Sequence, residues 1–100
     1  MTFQKSADGK ELTVALTGDL DSTNTPELEG KLLEEMDGVQ ELCFDLSGLD
    51  YVSSAGLRVF LTTQKQMAGV GKMTIRHVGE EVMGIFTVTG FSKLLHIERD

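Results

Sequence analysis

The sequence predicts an α/β protein built on a mixed, mostly parallel sheet of about five strands, in the order β-β-α-β-α-β-α-β. Three observations carry this. Short apolar runs of strand character alternate along the chain with longer stretches whose apolar residues recur at helical spacing. The first two extended segments are separated only by a turn, which suits an antiparallel hairpin. Every later pair is separated by a helical stretch, the connection that parallel strands require.

The opening "TFQKSADGKELTVALTG" reads as that hairpin, with Asp8-Gly9 supplying the turn and Leu12, Val14 and Leu16 alternating after it. In "DSTNTPELEGKLLEEMDG", Thr25 is the expected N-cap and Pro26 the first helical residue, with acids in the first turn where the helix dipole favours them. Leu28, Leu32, Leu33 and Met36 follow as one apolar face. The compact run Leu42-Cys43-Phe44 fits a central strand buried on both faces, with Ser47-Gly48 as the loop beyond it. From Ser54, the residues Leu57, Phe60, Leu61, Gln64, Met67 and Ala68 share a helical face until Gly69 and Gly71 end the pattern. "KMTIRHV" alternates as a strand, "EEVMGIFTVTG" suits a shorter helix ending near Gly90, and "LLHIE" is expected as a last short strand. Met67, Met73 and Met83 are assigned to the core, and the helices are expected to cover one face of the sheet incompletely.

A chain of 100 residues suffices for one core, so a single domain over residues 1–100 is expected. The 40% hydrophobic and 25% charged content is that of a globular protein. A net charge of -7 opposes attraction to polyphosphate or anionic lipid, so neither nucleic acid nor membrane is an expected partner. No apolar stretch reaches signal-peptide or membrane-spanning length, which leads to a cytoplasmic expectation. Cys43 lies in an apolar run and reads as a small buried hydrophobe. His77 and His96 have no ligand spacing with Cys43 or each other, so no metal or other cofactor is expected. A phosphate-binding loop of the G-x-x-x-x-G-K-[ST] kind is absent from the sequence, which argues against a kinase.

The stretch "YVSSAGLRVF", residues 51–60, places two serines where a strand leads into a helix. In open α/β sheets, functional groups collect outside the carboxyl ends of the strands. A helix start offers unpaired N–H groups and partial positive charge, both of which stabilise an added phosphate. Ala55 and Gly56 are expected to leave the backbone uncrowded for a partner. Capping of the helix by Ser53 or Ser54 is the plainer use of either serine. A hydrolytic serine is disfavoured, because "VSSAG" is not the G-x-S-x-G elbow and neither histidine has a placeable orienting group.

"LDYVSSAGLRVFL", with "GDLDSTNTPELEGKL" upstream and "VTGFSKLLHIE" downstream, resembles the sulphate transporter and anti-sigma antagonist (STAS) domain family, in particular its free-standing anti-sigma factor antagonists. The likeness spans essentially the whole chain. It implies a partner-switching module: the unphosphorylated antagonist binds an anti-sigma factor with serine protein kinase activity and frees a sigma factor. Phosphorylation ends the binding, and a PP2C-type phosphatase restores it. Matched on Gly56 and Leu57, the family's modified serine falls on Ser54. The family's Gly-x-Leu-Asp turn falls on Gly18, Asp19, Leu20 and Asp21.

The expected partner surface is therefore Asp21, Ser22, Thr23 and Asn24 together with Ser53, Ser54, Ala55, Gly56, Leu57 and Arg58, with no catalytic residue and a monomeric state. Asp21 also reads as a turn residue bonding its own backbone, and Arg58 as a solvated helix residue. The competing uses of such a chain are a STAS scaffold or transporter-complex subunit and, from another class, a small serine hydrolase.

Overall fold

The computed structural model describes residues 1–98. Four strands form one sheet in sequential order: β1 (Thr2–Lys5), β2 (Glu11–Leu20), β3 (Glu41–Val52) and β4 (Lys72–Arg76). β1 runs antiparallel to β2, turning at Gly9 (φ 74°), where the Asp8 carboxylate accepts the Lys10 N–H at 3.0 Å. β2, β3 and β4 are parallel. They are linked by α1 (Thr25–Glu35) and α2 (Ser54–Met67), and α3 (Glu80–Thr89) follows β4.

Strand order never reverses, and right-handed crossovers in such a sheet place successive helices on the same side. Burial along the strands agrees. Leu12, Val14 and Leu16 of β2 and Leu42, Phe44 and Leu46 of β3 are buried, whereas Thr13, Ala15, Cys43 and Asp45 between them are half-buried. Edge-on ring contacts from Phe44 to Phe60 (5.1 Å) and Phe60 to Phe86 (6.1 Å) join β3, α2 and α3 into one core.

Several expectations are corrected. The sheet has four strands rather than about five, because the last predicted strand reduces to one parallel bridge, Ile75 to Ile97, after a 3₁₀ turn at Phe91–Lys93. Among the described residues two backbone bonds hold it, from Ile75 N–H to the His96 carbonyl (3.0 Å) and from Glu98 N–H to the Ile75 carbonyl (2.8 Å). β3 is buried on one face only, since no helix among the described residues covers the other. Cys43 is accordingly half-buried, and that burial raises its thiol pKa.

β3 also runs through Ser47 and Gly48 instead of stopping there. Register shifts between Ala15 and Thr17 and between Gly18 and Asp19 give it one extra residue each, so its 12 residues run beside the 10 of β2. Gly48 fits beside Thr17 at one bulge because a Cβ there would lie 2.7 Å from Thr17 Cγ2.

In α1 the flanking residue is Asn24, with Thr25 the buried first helical residue, and Leu33 is turned to solvent at 80% exposure, while Leu28 and Leu32 carry the packing. On α2, Val59 and Thr63 join the buried face, while Ala68 is exposed. The hairpin, the three helices, the end of α3 at Gly90, whose backbone is left-handed, and burial of Met67 and Met73 are as expected, whereas Met83 is half-buried against the core.

Candidate functional site

β2 and β3 end side by side, with Leu20 opposite Val52, and the Ser53 N–H donates to the Leu20 carbonyl at 2.8 Å. The loop after β2 and the loop after β3 therefore leave the sheet from one point. This juxtaposes residues 21–24 with Ser53 and Ser54, which lie some thirty positions apart in sequence.

Ser53 is the N-cap of α2. Its backbone is extended (φ -86°, ψ 175°) and its hydroxyl accepts the Gly56 N–H at 3.4 Å. Its carbonyl accepts the Leu57 N–H at 2.9 Å, the first turn of the helix. Ser54 is the first helical residue and is exposed. The two serines thus divide their work: one closes the helix end, and the other presents its hydroxyl to solvent beside the unpaired N–H groups of the first turn.

Gly56 is buried, and its missing side chain faces the protein: a Cβ would lie 2.6 Å from Val52 Cγ2 and 3.0 Å from Leu20 Cδ2. The glycine lets α2 sit directly on the ends of β2 and β3, which corrects the expectation that it clears space for a partner. Leu57 is likewise in the core at 4% exposure, so both residues support the loop from within. Ala55 is half-buried and Arg58 exposed.

The 21–24 loop is closed by its own side chains. Asp21 Oδ1 accepts the Thr23 N–H (2.9 Å) and the Thr23 hydroxyl (2.5 Å). These bonds, the hydroxyl's first, hold the Asp21 carboxyl below the ordinary aspartate range. The Asp21 carbonyl accepts the N–H groups of Asn24 (3.2 Å) and Thr25 (2.9 Å). Asn24 bonds backwards, as acceptor from Asp21 N–H at 2.9 Å and donor to the Asp19 carbonyl at 2.7 Å. Ser22 and Thr23 are exposed, and Asp21 and Asn24 half-buried.

Two further residues share this rim. Asp19 and Tyr51 are opposite partners in the β2–β3 register, both exposed, Tyr51 at 48%. Sequence reasoning did not single them out, because the second bulge decides which way Tyr51 faces and nothing local signals that bulge.

The histidines lie elsewhere. β4 parts from β3 at Asp45, well before Ser53, and His77 acts electrostatically on Asp45. His96 is tied to the far end of α2, where its N–H donates to the Gln64 side chain at 3.2 Å. Among the described residues no three His, Cys, Asp or Glu side chains are gathered in a way that could hold a metal ion. Nor is any helix among them long and apolar enough to cross a membrane.

Comparison with known proteins follows the same lines. The chain is 35% identical over 88 residues to a candidate anti-sigma factor antagonist, BtrV, of Bordetella bronchiseptica, covering 86% of this chain and 76% of that protein. It is 28% identical over 99 residues to the anti-sigma-B factor antagonist of Staphylococcus aureus, covering 97% and 92%. Its fold superposes on unphosphorylated SpoIIAA, an anti-sigma factor antagonist, with a TM-score of 0.82 at 16% identity, over 99% of this chain and 88% of that one. An anti-sigma factor antagonist from Mycobacterium paratuberculosis gives 0.81 at 22%, over 96% and 83%. The family model described as "Mlab, STAS domain" matches residues 3–96. With four strands, three helices and the paired loops at Leu20 and Ser53 in place, the chain belongs to the STAS domain family.

Proposed function

We propose that the chain is an anti-sigma factor antagonist that switches partners by phosphorylation of Ser54. In the unmodified state it binds an anti-sigma factor that is also a serine kinase, through the rim formed by residues 21–24 and the start of α2. The modified form releases it, and a PP2C-type phosphatase resets the cycle. The names of the relatives support the first part of this reading. The observation that carries the second is the division between Ser53 and Ser54: the cap is already supplied, so the exposed Ser54 hydroxyl is available without cost to the helix end.

Charge gives the switch its energy. A phosphate adds roughly -1.5 to -2 charges at neutral pH. Asp21, kept ionised by Thr23, belongs to the same rim. Where an acid of the partner faces Ser54 at a separation of about 6 Å and an effective dielectric near 20, one like-charge pair across the interface costs about 3 kcal/mol before screening, on the order of a hundredfold in affinity. The helix dipole offsets part of this within the antagonist, so the modified protein stays folded. A hydrolase reading has no support from the site, because His77 follows β4, which leaves β3 at Asp45, and the His96 backbone N–H bonds Gln64 at the far end of α2.

The test is to purify each anti-sigma-type kinase encoded in the source genome, incubate it with the chain and magnesium ATP, and map the product by mass spectrometry. A single phosphate on Ser54 is expected. Phosphate on Ser53 or Ser22, or none with any of these kinases, overturns the assignment. Stoichiometric labelling of Ser54 by a serine-reactive phosphonate would instead mark a hydrolase.

A further inference from the structure

We propose that Asn24 is a positioning residue that sets the 21–24 loop against the Ser53–Ser54 junction, and that its effect on a partner is exerted through this geometry rather than by contact. The proposal rests on the reading of those two loops as one partner surface. Asparagine beside a helix start ordinarily turns its side chain forward to accept an N–H of the first turn. Asn24 makes no such capping bond, and its backbone is helical (φ -119°, ψ -7°) rather than extended. Both ends of its amide are used in the opposite direction, on Asp21 N–H and on the Asp19 carbonyl. A residue type able to stabilise α1 is spent on the strand end behind it.

The geometry shows what the clasp holds. Asp19 and Leu20 end β2 and Asp21 opens the loop, and the carbonyl of Leu20 between them receives the Ser53 N–H. Fixing the backbone on either side of Leu20 therefore fixes the anchor of the second loop. α2 stands on the same residue, through the close packing of Gly56 on Leu20 and Val52. Asn24 is half-buried, which limits how much of it a partner could touch. Serine or threonine at this position could reach one of the two backbone groups; the planar amide, donor at one end and acceptor at the other, reaches both.

The test is hydrogen exchange and amide and carbonyl chemical shifts on the isotope-labelled intact chain, with the variants Asn24→Ala and Asn24→Asp. For Asn24→Ala, the Asp21 amide is expected to exchange about tenfold faster, as loss of local hydrogen bonds implies. The Ser53 and Ser54 amide resonances shift with it, while Ile75 in β4 and Met83 in α3 stay unchanged. Asn24→Asp keeps the acceptor for Asp21 N–H and loses the donor to Asp19. It is expected to restore Asp21 protection and to move the Asp19 carbonyl resonance. If Asn24→Ala fails to fold, Asn24→Asp decides alone: retained Asp21 protection with a moved Asp19 carbonyl supports the clasp, and lost Asp21 protection or an unmoved Asp19 carbonyl overturns it.

A role limited to helix stability predicts changes along α1 at Leu28 and Leu32 with Asp21 unaffected. That result, a uniform change across the chain, or a change that stops at Asp21 overturns the proposal. Because no partner is present, this outcome is independent of whether any kinase modifies Ser54.

Discussion

The Gly56 Cα and the Val52 side chain meet so closely that a β-carbon on residue 56 would stand 2.6 Å from Val52 Cγ2. Valine is stiff about its first side-chain torsion and cannot swing aside, so the start of α2 must lift if residue 56 carries a side chain. Gly56→Ala is therefore expected to cost about 1–3 kcal/mol of stability, as overpacked sites do. Gly30→Ala is the control. Gly30 sits inside α1 with nothing within 4 Å of the missing Cβ, so alanine there should stabilise by about 0.5–1 kcal/mol. Urea unfolding of both variants checks the contrast, which is lost if the two shift stability the same way.

At the paired serines, alanine substitutions should separate capping from signalling. Ser53→Ala removes the bond to Gly56 N–H, and because that bond is long at 3.4 Å the loss should fall near the lower end of the usual 0.5–2 kcal/mol. Ser54→Ala should leave the unfolding free energy within about 0.5 kcal/mol of the parent, as exposed positions generally do. Equal costs at both positions would mean that Ser54 shares the capping role.

Partner affinity should order the Ser54 variants differently. Ser54→Ala keeps binding to the kinase that modifies the parent chain and cannot be switched off. Ser54→Asp weakens it, though by less than phosphate, since one carboxylate carries less charge. Calorimetric titration of both against that kinase is the measurement, and identical affinities would leave Ser54 without a switching role.

Acid should loosen the 21–24 loop. The Asp21 pKa is lowered in the folded chain by the Thr23 hydroxyl and N–H, so its contribution is present above the unfolded value of 3.8 and is lost as pH falls through the lower folded value. The Thr23 amide resonance should therefore titrate below pH 3.8, and Asp21→Asn should abolish that titration. A Thr23 resonance that is flat in this range, or that titrates unchanged in the variant, contradicts the assigned bonds.

Glu11 should behave with the opposite sign. It lies directly across from Glu41 in the β2–β3 register, and hydrogen bonding and repulsion from Glu41 raise its pKa above 4.5. The unfavourable contribution is absent below the unfolded value and complete above the folded one. Glu11→Gln should consequently raise stability at neutral pH and leave it nearly unchanged in acid below 4.5. Thermal melts at the two pH values give the answer, and a stability loss at neutral pH would show that the pair is held by something other than repulsion.

How much of this could be read from residues alone differs from element to element. The Asp8-Gly9 turn and the Gly90 stop of α3 are local chemistry, and each lies where the sequence indicates, while α1 begins one residue earlier than Pro26, at Thr25. The burial of β3 is not legible in the sequence, because an unbroken run such as Leu42-Cys43-Phe44 looks the same whether one or two layers cover it. Leu33 lies a single step around α1 from the buried face, since two adjacent leucines cannot both face the sheet and local spacing does not say which one does.

The candidate site divides in the same way. The serine loop, after a strand end, follows from the alternation of elements and from "VSSAG" at a helix start, while the polar 21–24 turn joins it through the family resemblance, so the sequence by itself determined the order of the elements and the loop that carries the two serines. Which serine caps, which way the Gly56 gap faces, how the two bulges set Tyr51 beside Asp19 and what Asn24 grasps were decided only when β2 and β3 paired. The reason is physical: periodicity and turn chemistry act within a few residues, whereas hydrogen-bond partners and burial are properties of neighbours some thirty positions away, such as Leu20 and Ser53, that the sheet brings together.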